Sequence, residues 1–163
     1  MLDIRDDEPF MNPLDNVEDV LAGNNWVYNR TNDDELIVRI AGRNCSYNLY
    51  FVWQEHMNAV QYVCEYEMSI NPENKICAFE TIMDMNATLW MGHFEVMRDS
   101  LIPSFRYTLL QGQSAQAERI EDLVEISLAQ CERFQPVFQV LAHKVPANPQ
   151  SLSLAMMDTS GES

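Results

Sequence analysis

The sequence predicts an α+β domain: an antiparallel sheet, made of a four-strand meander and a later hairpin, with helices packed on one face. Three observations predict it. Apolar residues alternate with period two between Leu36 and Met68, the rhythm of strands with one covered face. Apolar residues recur at three and four in three other stretches, the rhythm of amphipathic helices. The turns between the middle strands are too short for parallel crossovers, so the meander is antiparallel. Strands and helices segregated along a chain define the α+β class.

Each element has its own local cause. Residues 1–10 are rich in acids and read as a mobile arm. Asn12-Pro13 supplies an N-cap followed by proline at the first helical position. Asp15 stands where a capping box would reach back. Leu14, Val17 and Leu21 then mark a first helix over 13–22, with Gly23 as its stop. Trp26-Val27-Tyr28 reads as a short strand, and Asn32-Asp33-Asp34 as a turn. Leu36, Val38 and Ile40 alternate along the second strand. After Gly42-Arg43-Asn44 the third carries Tyr47, Leu49, Phe51 and Trp53 on one face. The fourth carries Val60, Tyr62, Cys64, Tyr66 and Met68 opposite Gln61, Val63, Glu65 and Glu67.

Asn71-Pro72-Glu73 repeats the helix-start signal. Phe79, Ile82, Met83, Asn86, Leu89 and Trp90 follow at helical spacing, giving a second helix over 72–90 that Gly92 ends. Phe94 and Val96 open a hairpin that turns at 99–103 and returns through Phe105, Tyr107 and Leu109. A long helix begins near Ser114, with Ile120, Leu123, Val124, Leu128, Cys131, Phe134 and Phe138 as its apolar stripe. Pro136 is expected to kink or break it. One or two further helical turns are expected around Pro149, and 159–163 read as a frayed tail. The single domain spans 11–158.

Composition excludes several functions. Ten Lys and Arg face 25 Asp and Glu, a net charge of −15, and the basic residues never cluster. A nucleic-acid binder shows a basic patch, so nucleic acid is not an expected partner. Anionic membranes are disfavoured for the same reason. A basic protein is the electrostatically easier partner. The first residues lack the basic start and apolar run of a signal peptide, and no stretch approaches a membrane span. A cytoplasmic protein is expected.

No motif builds a known chemistry. Cys45, Cys64, Cys77 and Cys131 form no C-x-x-C pair; reduced, buried thiols are expected. His56, His93 and His143 stand apart from any ligand spacing. No phosphate cradle and no nucleophile elbow is present. No cofactor, no metal and no catalytic residue is assigned. Glu65 and Glu67 share a strand face about 7 Å apart, where exposed acids usually just meet water. Glu118, Asp122, Glu125 and Glu132 share one face of the long helix, a candidate surface for a basic partner. The methionines at 83, 85, 91 and 97 suit an adaptable surface or, more simply, the core.

Several runs, taken in order, resemble one family. They are Trp26, Asn32-Asp33-Asp34-Glu35-Leu36, and Tyr47-x-Leu49-x-Phe51-x-Trp53. Leu89-Trp90-Met91-Gly92-His93-Phe94, Phe105-Arg106 and Cys131-Glu132-Arg133-Phe134-x-Pro136-x-Phe138-Gln139 complete the set. Together they resemble the YbjN family of bacteria over about 13–158. The resemblance implies a role in sensory transduction regulation with no defined catalytic set. It also implies a fold like the type III secretion chaperones, small acidic homodimers that hold partner segments in extended form. Four strands precede the second helix here, against three in the chaperones, so their dimer surface and client groove are not carried over by residue.

The expected function is a non-enzymatic protein-binding module, regulatory or chaperone-like, and homodimeric. The alternative is a small-ligand sensor or enzyme with a pocket between sheet and helices, for which Glu65, His93 and Arg106 are the candidate residues.

Overall fold

The computed structural model describes residues 12–110, 117–143 and 149–160. The elements are α1 (Pro13–Gly23), β1 (Tyr28–Asn32), β2 (Glu35–Ala41), β3 (Ser46–Gln54), β4 (Ala59–Tyr66), α2 (Lys75–Asn86), β5 (His93–Val96), β6 (Pro103–Leu110), α3 (Ala117–Ala142) and α4 (Pro149–Ser160). The strands form one sheet in the order β1-β2-β3-β4-β6-β5, every neighbouring pair antiparallel. The α+β class, the meander and the hairpin are therefore as expected, and the hairpin joins through β6.

Register turns the period-two pattern into a covered face. Val38, Leu49, Cys64, Phe105 and Phe94 line up across five strands, and all are buried. Leu36, Phe51, Tyr62 and Tyr107 form the next row. Over this face lies α3. Phe94 meets Phe134 at 5.3 Å and Phe138 at 5.8 Å, and Tyr66 meets Phe138 at 4.8 Å between ring centroids. Tyr62 shares a hydrogen bond with Ser127 (2.5 Å), and Tyr66 donates to the Cys131 carbonyl (2.6 Å). Tyr62 and Tyr66 are four strand residues apart, about 13 Å, and Ser127 and Cys131 four helix residues apart, about 6 Å. The two bonds therefore tie α3 over β4 at two points, with helix and strand running in the same general sense.

Pro136 does not break α3, which is continuous from Ala117 to Ala142. A proline inside a helix costs about 3 kcal/mol. Val137, Phe138 and Leu141 beyond it are each fully buried, at about 1.5–3 kcal/mol apiece, which outweighs that cost. The far end of α3 is capped from elsewhere. The Asn71 N–H and the Asn74 side-chain amide both donate to the Leu141 carbonyl, and the Asn71 amide donates to that of His143. The expected start of this helix near Ser114 lies outside the described residues.

Other expectations shift by a few residues. Gly23 is not the left-handed terminator of α1; Asn25 is, with φ +58°. The Asn25 N–H donates to Ala22 and the Trp26 N–H to Leu21, the bond pattern of a Schellman motif. That motif occupies 24–26, so the first strand begins only at Tyr28. Asp15 closes no capping box, because its carboxylate pairs with Arg30 at 2.8 Å. The second helix is shorter than expected: a 3-10 turn over Pro72–Asn74 precedes α2, which ends at Asn86. Gly92 instead serves the entry to β5. It takes φ +68°, and any Cβ there would overlap the Phe105 ring.

Asn86 closes the outer edge of β5. Its amide donates to the Phe94 carbonyl (3.0 Å) and accepts the Phe94 N–H (2.7 Å), so one side chain stands in for a missing strand. Past Pro149 the chain forms a twelve-residue helix, α4, packed on α3. Thr159 and Ser160 are its last residues; the expected arm, 1–10, and residues 161–163 lie outside the described set.

Candidate functional site

The largest departure from a closed apolar core lies on α2 and the segment after it. Eleven large apolar side chains are exposed among the described residues, and five of them fall between Ile76 and Met97. On α2 the buried side is Ala78, Ile82 and Met85. Ile76, Phe79 and Met83, at i, i+3 and i+7, form a second stripe that faces out, with Ile76 74% and Met83 68% exposed. Trp90 follows in the turn after α2 and is fully exposed, and Met97 is half exposed. The methionines thus divide: Met85 fills the core, while Met83 and Met97 meet solvent.

The described acids of the face expected on α3 differ in what they touch. Asp122 and Glu125 are exposed. Glu118 lies in the first described turn, and nothing is described of its side chain. Glu132 turns away into the β2–β3 loop, where both carboxylate oxygens accept from the Arg43 N–H, at 3.3 and 3.4 Å. It can do so because position 42 is glycine: a Cβ there would overlap the Glu132 carboxylate and the Tyr47 ring. Glu132, Gly42, Arg43, Tyr47, Ile40 and Leu128 line a shallow, open cleft between β2, β3 and α3. Tyr47 is 0% exposed, and its hydroxyl, close to Cys45 and Glu132, makes no well-formed hydrogen bond. Burial first, then these two neighbours, push its pKa far above that of a free phenol.

Glu65, His93 and Arg106 do not line a pocket between sheet and helices. Each alternates with a residue of the covered face, Cys64, Phe94 and Phe105, so all three lie on the opposite face. There Val63, Arg106 and His93 form one cross-strand row, and Glu65 stands beside Ser104 in the next. The link between two of them is Glu95, which the sequence reading missed although it stands two residues from His93 on the same strand face. Glu95 accepts from Arg106 at 2.7 Å and meets His93 at 3.2 Å. Glu65 is partly buried beside Tyr50, and burial raises its pKa while the Tyr50 hydrogen bond works against the shift. Glu67 differs: Arg39 holds it in two hydrogen bonds at 2.6 and 2.9 Å and lowers its pKa. The two carboxylates are thus engaged separately and build no acid–base pair. Among the described residues no group of three or more His, Cys, Asp or Glu could hold a metal ion, and no helix is long and apolar enough to cross a membrane.

Fold and surface together define a single-sheet α+β protein with helices on one side and its exposed apolar residues gathered on a short helix and the turn beyond it. The chain belongs to the YbjN family: the family model, described as "Putative bacterial sensory transduction regulator", matches residues 13–140. A solved structure with a similar fold is that of YbjN from E. coli, described as "a putative transcription regulator". The match is at 12% identity and a TM-score of 0.55, over 73% of this chain and 85% of that one. No curated protein matches the chain in sequence.

Proposed function

We propose that the protein is a non-enzymatic, protein-binding regulator or chaperone-like adaptor of the cytoplasm that works as a homodimer, with the outer stripe of α2 as its docking face. The observation that carries this reading is the stripe itself: Ile76, Phe79 and Met83 exposed on one helix, with Trp90 close after it in sequence. Monomeric proteins rarely expose large contiguous apolar surface without a partner for it. Burying each such side chain is worth about 1.5–3 kcal/mol. The three side chains of the stripe present on the order of 400 Å² together, about half of the ~800 Å² that each partner brings to a standard interface. A second copy matches the stripe because an isologous contact pairs a surface with itself. Exposed acids on α3, Asp122 and Glu125, and a net charge of −15 favour a basic protein as a further client and disfavour nucleic acid and anionic membranes. The family description, with its sensory transduction role, supports the regulatory reading.

The test is sedimentation equilibrium of the full chain over a range of concentrations, beside an Ile76→Glu/Met83→Glu variant, with native mass spectrometry of material from its own cells. The reading expects a dimer that the double substitution converts to a folded monomer. A wild-type chain that stays a bare monomer in both measurements overturns it.

A further inference from the structure

Helix α2 has three sides. At about 100° per residue, Ala78, Ile82 and Met85 fall on the core side and Ile76, Phe79 and Met83 on the exposed stripe. Cys77, Glu80, Thr81 and Asp84 fall on the third, roughly a third of a turn from each of the others. This side lines one wall of an open groove, and Leu152 and Met156 of α4 line the other. Helix α4 packs on α3 and lies beyond the residues that the family model matches. The charge of the groove is one-sided. Its charged side chains are Glu80 and Asp84, both exposed, and neither has an ion-pair partner among the described residues. Elsewhere acids are held by cations, Glu67 by Arg39 and Glu95 by Arg106. The lysine of α2 does not compensate them, because Lys75 lies over the Phe79 ring at 5.9 Å. The Thr81 hydroxyl is taken by the Cys77 carbonyl (2.7 Å). What the groove presents is therefore two carboxylates beside an apolar wall.

We infer that this groove docks a basic amphipathic helix of another protein, its apolar side on Leu152, Met156 and Cys77 and its Lys or Arg side chains on Glu80 and Asp84. Three features select that occupant. Glu80 and Asp84 stand one turn apart, about 6 Å, the spacing of cations at i and i+4 on a helix lying alongside. Two helical walls offer ridges and grooves to a third helix, but no open backbone edge to a strand. The Met156 thioether adapts to the shape of an incoming apolar face. The net charge of −15 draws in a basic segment, and a second copy, carrying the same charge, is the poorer occupant of an acid-lined groove. Groove and stripe lie on different sides of α2, so this inference stands or falls apart from the dimer.

The probe is a synthetic amphipathic peptide of about 15 residues, leucine and lysine at helical spacing. Its counterpart carries glutamate in place of each lysine. Each is titrated into the full chain at ~0.05 and ~0.3 M salt and followed by fluorescence anisotropy and amide chemical shifts. The expected result is one saturable site for the lysine peptide, weaker at the higher salt, with shifts centred on Cys77, Thr81, Asp84, Leu152 and their neighbours. Glu80→Gln/Asp84→Asn, which removes both charges with little change of shape, weakens binding about threefold to tenfold, the range for two solvent-screened ion pairs. Asp34→Asn/Glu55→Gln, at exposed acids elsewhere, leaves it unchanged, and the glutamate peptide does not bind. Circular dichroism melts confirm that both variants are folded. The inference is overturned if no site saturates, if shifts spread over Asp34, Glu55 and the other surface acids, if Glu80→Gln/Asp84→Asn binds like the wild type, or if the glutamate peptide binds as tightly as the lysine one. It is overturned equally if the groove amides shift on dilution without peptide, which makes a second copy the occupant.

Discussion

Replacing Gly92 by alanine tests the entry to β5, and its cost can be worked from two separate terms. Gly92 sits at φ +68°, a conformation that costs a residue with a Cβ about 1–2 kcal/mol. The added Cβ also overlaps the Phe105 ring and lies 2.9 Å from the Arg106 carbonyl oxygen. Neither neighbour yields easily. Phe105 is 1% exposed and packs edge-on against Phe94 at 5.4 Å, and the carbonyl belongs to the β5–β6 ladder. Forcing extra volume into such a site costs about 1–3 kcal/mol. Gly92→Ala should therefore lose about 2–5 kcal/mol, a large share of the 5–15 kcal/mol typical of a domain. Gly23→Ala is the matched control, since a Cβ there meets nothing within 4 Å and φ is not positive; it should leave stability unchanged or raise it by about 0.5–1 kcal/mol. Urea unfolding followed by tryptophan fluorescence reads both. A Gly92→Ala protein within about 1 kcal/mol of wild type would refute the argument, because both terms would then have to be absent.

Three further outcomes are expected. Asn74→Ala removes the amide that caps the Leu141 carbonyl from a buried position and should cost about 1–3 kcal/mol, read by the same urea titration. Tyr66→Phe deletes the bond to the Cys131 carbonyl and should cost about 1 kcal/mol, with amide exchange in the middle of α3 speeding up before global unfolding does. Glu65 and Glu67 should show opposite pH signs. The folded-state pKa of Glu65 is raised from its ordinary value of 4.5, so its ionised form opposes folding at neutral pH; Glu65→Gln should be stabilising at pH 7, the gain vanishing below pH 4.5. The pKa of Glu67 is lowered from 4.5, so its contribution is present above 4.5 and is lost as pH falls through its folded value; Glu67→Gln should be destabilising at pH 7 and neutral in strong acid. Urea midpoints at several pH values separate the two.

The sheet was legible because a strand has only two sides. Once Phe51, Tyr62 and Cys64 are assigned to the core, every neighbour follows by parity, and the same parity puts Glu65, His93 and Arg106 on the outer face. An interior pocket built from these three is incompatible with that alternation. Helix α2 was harder. It carries apolar residues on two sides, both spaced at three and four, and nothing local tells which pair of turns meets the sheet; the choice of Ala78, Ile82 and Met85 is made by the position of β5. The partner of Glu132 is hidden from the sequence for a related reason. Helical spacing puts it in line with Asp122 and Glu125, but the β2–β3 loop reaches it only because Gly42, ninety residues earlier, leaves room. The run through Pro136 was illegible from local propensity alone, since the compensating burial lies across the core.

The Asn86 amide on β5 also limits how copies of this chain can add to one another through their backbones. A strand added beside β5 would have to displace Asn86 from the Phe94 backbone, whereas β1 has no such side chain to remove and pairs on its outer side with no strand among the described residues. Of the two ends of the sheet, β1 is therefore the easier one for another backbone to join.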